Sequence, residues 1–201
     1  YDEVCLSLQQ SLLSKTSFDE VIFWTSELFY SGYADKLWIL VYQFYYNFYA
    51  ITYPKYERKL NKLSQNSTLE SILNALCILY YSKTNTDVFK LYHIRPKSPT
   101  KSYSKNPIWL IEMEIDNKYT NFLIALHKNH HTNMMYYMND YQDYKDVYNT
   151  VKRYFREVHG MPLNDKSWGY IKYPDIRHLT IALILYLKRD ISNITRKSIF
   201  R

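Results

Sequence analysis

Apolar residues recur along most of this chain at the three- and four-residue spacing of an amphipathic helix. Val4 to Leu13 reads as a short helix. Ser17, with Glu20 three residues on, forms a capping box for a second helix. That helix carries Phe18, Val21, Ile22, Thr25, Leu28 and Phe29 on one face and ends at Ser31-Gly32. A third begins near Ala34, with Leu37, Leu40, Val41, Phe44 and Phe48 as its stripe. Trp38, Tyr42, Tyr45, Tyr46 and Tyr49 cover much of its remaining surface. A helix apolar nearly all round is buried between neighbours, either within the fold or against another subunit. Pro54 forbids its simple continuation.

Lys55 to Leu63 is a charged helical segment. Ser67 and Glu70 form a second capping box, ahead of a stripe of Leu69, Ile72, Leu73, Leu76, Leu79 and Tyr80. Asp87 to Tyr92 adds one or two turns. Arg95 to Pro107 breaks the pattern: Pro96, Pro99 and Pro107 stand among Arg95, Lys97, Lys101 and Lys105, with no acid. This predicts a mobile basic loop, 95–107, linking a helical half 1–94 to a second half 108–201.

Ile108 to Ile115 is ambiguous, because its partial alternation permits a strand while Glu112 and Glu114 also suit a helix. Helical spacing returns from Asn121. Tyr144, Val147, Val151, Tyr154 and Val158 line one face of a helix whose Lys152, Arg153 and Arg156 lie toward the other. Gly160-Met161-Pro162 ends it, and a last helix starts near Pro174 with Ile176, Leu179, Leu183, Tyr186 and Leu187. The expected fold is mainly all-α, a compact array of seven to nine helices with at most one short strand pair near 108–116.

Composition agrees. Among 201 residues only 3 are glycine, so few positions can take positive φ, which disfavours an all-β fold rich in tight turns. The chain is 47% hydrophobic and 22% charged, a globular balance. Its net charge of +7 suits an acidic partner such as a nucleic-acid backbone, or simply solubility. Cys5 and Cys77 form no close-spaced pair, so neither a disulfide framework nor a zinc site is implied. The triplets Asn66-Ser67-Thr68 and Asn193-Ile194-Thr195 match glycosylation sequons, which occur by chance, and a reducing intracellular compartment, nucleus or cytoplasm, is expected. Leu37 to Ile51, the most apolar stretch, is interrupted by Gln43 and Asn47 and is too short to span a bilayer, so no membrane partner is expected. The chain opens at Tyr1 rather than Met, which reads as a piece of a longer polypeptide.

The sharpest chemical cluster is His127, His130 and His131. Histidines at i and i+4 on a helix can bind zinc, but no Glu follows the first and no third ligand stands out. With Asn129 and Asn133 alongside, a polar, solvated helix end is the plainer reading. Glu112 and Glu114 lack a helper histidine, and Asp140, Asp143 and Asp146 lack the glycine and terminal Glu of a calcium loop. No Gly-rich phosphate loop, G-x-S-x-G or H-E-x-x-H occurs. No catalytic residue, metal or cofactor is therefore nominated. The paired tyrosines Tyr45-Tyr46, Tyr80-Tyr81 and Tyr136-Tyr137 could stack on bases, yet they fall inside helical patterns and read as core or interface.

One resemblance covers residues 4–92. The run Leu8-Gln9-Gln10-Ser11-Leu12, then Phe23-Trp24 in the next helix, then a long helix closing before Pro54, resembles the C-terminal helical collar of RarA/MgsA-type AAA+ ATPases, clamp-loader-like proteins of replication-fork maintenance. Leu79-Tyr80-Tyr81-Ser82-Lys83-Thr84-Asn85 is similar to a further segment of that family. Where the family has an acidic, glycine-containing stretch, this chain has Asn47-Phe48-Tyr49-Ala50-Ile51. The resemblance implies a homo-oligomerising helical domain, typically a tetramer, working near DNA or a DNA-bound protein, with no ATPase module in this chain. The excess of Tyr, Asn, Lys and Ile is also that of an AT-rich genome such as a large DNA virus.

Three expectations follow. The first is a non-catalytic oligomerisation and scaffold domain, with Trp24, Trp38, Phe44 and Phe48 carrying packing or a subunit interface. The second is a minor or internal structural protein of a virus particle, found in the virion or at a viral replication site. The third is a nucleic-acid binder using Arg95, Lys97, Lys101, Lys105, Lys152, Arg153 and Arg156.

Overall fold

A computed structural model describes residues 1–161 and 175–199, with side chains through Arg189. It is all-α: 70% helical, with eleven α-helices and no strand among the described residues. The helices divide into two compact units between Thr86 and Asp87, so the basic loop 95–107 lies inside the second.

Unit one holds α1 (Asp2–Ser14), α2 (Phe18–Tyr30), α3 (Ala34–Phe48), α4 (Tyr56–Leu63) and α5 (Leu69–Tyr80). The Ser17 side chain caps α2 by accepting from the Asp19 amide at 3.1 Å. Glu20 does not complete the capping box. Its carboxylate instead accepts from the hydroxyls of Ser11 (3.0 Å) and Thr16 (3.4 Å), tying α2 to the end of α1. The helix stops where Gly32 takes φ +85°, and the amides of Gly32 and Tyr33 close back on the carbonyls of Phe29 and Leu28. That Schellman geometry needs a residue tolerant of the left-handed region. At α5 the cap is Thr68 rather than Ser67: its hydroxyl accepts from the Ser71 amide at 3.2 Å, which places the helix start one residue later than the sequence pattern suggested.

The third helix is the centre of unit one. Leu37, Trp38, Val41, Tyr42 and every residue from Phe44 to Ile51 are buried. Tyrosine can fill such a core where its hydroxyl reaches a partner, as those of Tyr45 and Tyr46 do, whereas the buried Tyr49 hydroxyl meets none among the described residues. The Tyr45 hydroxyl donates to the carbonyls of Tyr53 (3.2 Å) and Pro54 (3.1 Å), and that of Tyr46 donates to the fully buried Glu57 carboxylate at 2.9 Å.

Unit two holds α6 (Asp87–His93), α7 (Ile108–Glu112), a 3₁₀ turn (Asn117–Tyr119), α8 (Thr120–His127), α9 (His131–Asn139), α10 (Tyr144–His159) and α11 (Ile176–Ile199). Its core is aliphatic and methionine-rich: Phe122 to Leu126, Met134, Met135, Met138, Val147, Val151 and Ile181 to Ile184. The strand pair considered near 108–116 is a correction. Pro107 sits just ahead of a short helix that buries Leu110 and Met113, three residues apart, and leaves Ile108 and Ile111 exposed. The apolar alternation there is a helical i,i+3 pair flanked by surface isoleucines. The Asp143 side chain caps α10, and Gly160 at φ +63° ends it. Pro162 and Pro174, expected to bound the last two helices, lie outside the described residues.

Candidate functional site

Of the four aromatics expected to carry packing or an interface, three are inside unit one. Trp38, Phe44 and Phe48 are all buried, with the Trp38 ring 5.9 Å from that of Tyr42. Trp24 is half-buried and meets Phe23 edge-on at 4.8 Å. These two rings flank a groove of about 650 Å³ between α1 and α2, shared with Ser7, Gln10, Asp19 and Glu20. Along the same helices Leu6, Phe23 and Tyr30 are exposed to 65%, 54% and 79%, and Ile22 to 37%. Phe23 and Tyr30 are seven residues apart and so share a helix face. No periodicity marks this face, because a pattern reports where apolar residues recur and not which of them find a neighbour.

The basic candidates fall into two sets held by different contacts. In the loop, Arg95, Lys97, Lys101 and Lys105 are exposed. The loop is nevertheless anchored at its middle by one fully buried side chain. Asn133 of α9 accepts at Oδ1 from the Thr100 amide (2.8 Å) and hydroxyl (2.6 Å), and donates from Nδ2 to the Lys101 carbonyl (2.6 Å) and the Tyr103 hydroxyl (3.1 Å). On α10, Arg153 donates to Glu157 (2.9 Å) and to the Met113 carbonyl (2.5 Å), and Arg156 donates to Glu157 at 3.3 Å. The hydrogen bond from Arg153 holds the Glu157 carboxyl below its ordinary range. Lys152 lies over the Tyr148 ring at 5.6 Å.

The three histidines of the sequence cluster separate. His130 joins the loop anchor: Lys101 Nζ lies 3.2 Å from its Nε2 and the Tyr103 hydroxyl 3.0 Å from its Nδ1. A lysine ammonium only donates, so Nε2 accepts and the ring is neutral in this arrangement. His127 turns instead to α10. Its Nδ1 and the Nε2 of His159 each lie 2.9 Å from the Tyr154 hydroxyl, which links the two rings. Burial, then neighbouring positive charge, lowers the pKa of His127, His130, His131 and His159 alike. Among the described residues no three His, Cys, Asp or Glu side chains gather as metal ligands.

Lys188 of α11 went unnoticed in the sequence. Its ammonium donates to the Leu126 carbonyl and to Asn129 Oδ1 at the end of α8, and burial lowers its pKa to about 8. The available signal was a cation placed directly after the mainly apolar run Leu179 to Leu187. Charge itself is unevenly spread. Residues 1–86 carry 7 Lys and Arg against 8 Asp and Glu, whereas residues 87–201 carry 19 against 11. The second stretch therefore carries +8 and the first −1 of the net +7.

Comparison with protein-family models, with curated proteins and with solved structures returns no match to this chain. Among the described residues no helix is long and apolar enough to cross a membrane.

Proposed function

We propose that this chain is a non-catalytic assembly domain in which unit one associates with a second copy through the outer face of α1 and α2. The observation that carries this reading is the exposure of Phe23 on the Phe23–Trp24 groove, with Leu6 and Tyr30 exposed on the same two helices. Large apolar side chains left exposed around a groove are a feature of interaction surfaces. Residues 1–86 are close to neutral overall, but α1 and α2 carry Asp2, Glu3, Asp19, Glu20 and Glu27 against Lys15, so the association must rest on apolar contact and high salt should strengthen it by screening. A closed homo-oligomer formed this way is what the resemblance to the RarA/MgsA-type collar also implies, with DNA or a DNA-bound protein nearby.

Light scattering after size exclusion, at low and high salt, tests the reading. A salt-resistant closed oligomer is expected, and Phe23→Asp should reduce it to monomer while leaving helicity unchanged. A monomer at all salts and concentrations would sink the proposal.

A second reading rests on the charge asymmetry and the exposed loop cations. In it, unit two contacts a nucleic-acid backbone through Arg95, Lys97, Lys101 and Lys105. Each phosphate contact removed lowers the salt slope of binding by about one. Replacing all four residues by glutamine should therefore flatten that slope, and an unchanged slope would remove the loop from consideration.

A further inference from the structure

The start of α11 holds a buried guanidinium with two donors that no described residue receives. Arg177, in the first turn, is 6% exposed, and among the described residues neither its Nε nor its Nη2 has a hydrogen-bond partner. Its guanidinium lies over the Tyr92 ring of α6, 4.7 Å from the centroid. Arg95, exposed at the surface, lies over the same ring at 5.5 Å. A cation over an aromatic face is attracted to it, but a ring satisfies no N–H donor. A guanidinium taken out of water without acceptors is costly, so such groups are nearly always paired.

The nearby carboxylate cannot supply the pairing. Asp175 accepts at Oδ2 from the Tyr92 hydroxyl (2.7 Å) and lies there 3.1 Å from His178 Nδ1, while its Oδ1 accepts from the His178 amide (3.2 Å). Burial would raise its pKa, but the bonds from His178 and Tyr92 outweigh that and hold it at about 2. The His178 ring stacks on Tyr92 with centroids 3.5 Å apart. Both carboxylate oxygens of Asp175 are therefore turned toward Tyr92 and His178, and the Tyr92 and Ile94 carbonyls accept from Arg95. Burial and the nearby Arg95 charge both lower the pKa of Arg177. Two guanidinium groups thus lie close together, one at the surface and one beneath it, at the positive end of a 24-residue helix.

We propose that Arg177 and Arg95 form a phosphate-binding site, in which the ligand's anionic oxygens accept from the idle guanidinium donors of Arg177 and its charge relieves the repulsion between the two arginines. A guanidinium presents paired N–H groups that match two phosphate oxygens, and a helix start adds favourable potential for an anion. The phosphate could come from a free phosphate compound or from a phosphodiester backbone. The site does not depend on the assembly reading, since all its residues belong to unit two.

The test is a titration of the full chain with inorganic phosphate at constant ionic strength, read by calorimetry and by thermal unfolding. Saturable binding is expected, with Tm raised by about 3–5 °C at ten times Kd. Arg177→Met and Arg95→Gln should each abolish the response, and Lys105→Gln should keep it. Arg177→Met carries a second readout. Removing a buried guanidinium with idle donors should leave the phosphate-free Tm unchanged or higher, as expected of a residue kept for a ligand. A phosphate response in either arginine variant equal to that of the parent, the same shift from chloride, or an Arg177→Met variant that unfolds at markedly lower temperature would overturn the proposal. Competition then separates the sources. A short single-stranded oligonucleotide that displaces phosphate identifies a phosphodiester ligand, and one that does not identifies a free phosphate compound.

Discussion

The two units solve the problem of burying polar atoms in opposite ways. Unit one buries long aromatic side chains, of which Tyr45 and Tyr46 give their hydroxyls to backbone carbonyls and to the buried Glu57 carboxylate. Unit two has a plainer aliphatic core but sinks whole polar groups around it: Asn133, Arg177 and His178, with Tyr154 bridging His127 and His159. In the first unit the Tyr45 and Tyr46 hydroxyls meet partners only 8 to 11 residues along the chain. In the second, each polar group ties one particular element to another, so unit two concentrates specific connections and unit one concentrates volume.

The contrast breaks most sharply at Trp38. Deleting it leaves a large void in the densest part of unit one, and Trp38→Ala should lower the stability of the fold by about 3–5 kcal/mol in urea unfolding. Its indole Nε1 is buried without a hydrogen-bond partner, so packing alone accounts for its contribution. Trp38→Phe should therefore retain most of the lost stability. If the alanine variant unfolds like the parent, the description of unit one as packed on α3 is wrong.

In unit two the equivalent lesion removes connection rather than volume. Asn133→Ala eliminates one small side chain but four hydrogen bonds to the loop. The expected cost is about 1–3 kcal/mol, because buried backbone and hydroxyl groups lose their partners. The stronger sign should be local. Amide exchange and proteolysis within 95–107 should rise well before the helices unfold. Loop exchange rates unaltered by the substitution would show that Asn133 is not the anchor.

This difference also explains what the sequence could convey. The helices, the Gly32 and Gly160 stops and the burial of α3 were legible, because each depends on local spacing or on one residue's backbone freedom. The start of α5 was off by one because Ser67 and Thr68 are both competent caps, and only the chain path chooses between them. Residues 108–115 misled for a related reason: Leu110 and Met113 face inward at helical spacing while Ile108 and Ile111 face out, which imitates alternation. The polar contacts of unit two were beyond reach. Asn133 meets Thr100 across 33 residues, and Lys188 meets Leu126 across 62. No local pattern encodes such pairings.

Acidification should separate the units with a smaller and more gradual effect. His127, His130, His131 and His159 all lie in unit two, with pKa values lowered chiefly by burial. A histidine with a lowered folded-state pKa binds its proton more readily when unfolded. The stability it contributes is complete above its unfolded value near 6.5 and is lost as pH falls through and below that value. Asp175 acts in the same direction lower down, between its ordinary 3.8 and about 2. Segment-resolved amide exchange between pH 7 and 5 should therefore show α8 to α10 opening more readily while α1 to α5, which contain no histidine, hold. Tyr154→Phe sharpens the point. Without the hydroxyl that links His127 to His159, both rings lose a bond, so α8 and α10 should be less protected already at pH 7, while the pH dependence, which burial and nearby positive charge set, should persist. A parallel loss of protection in both units would mean that acid acts on the chain's total charge rather than on these four rings.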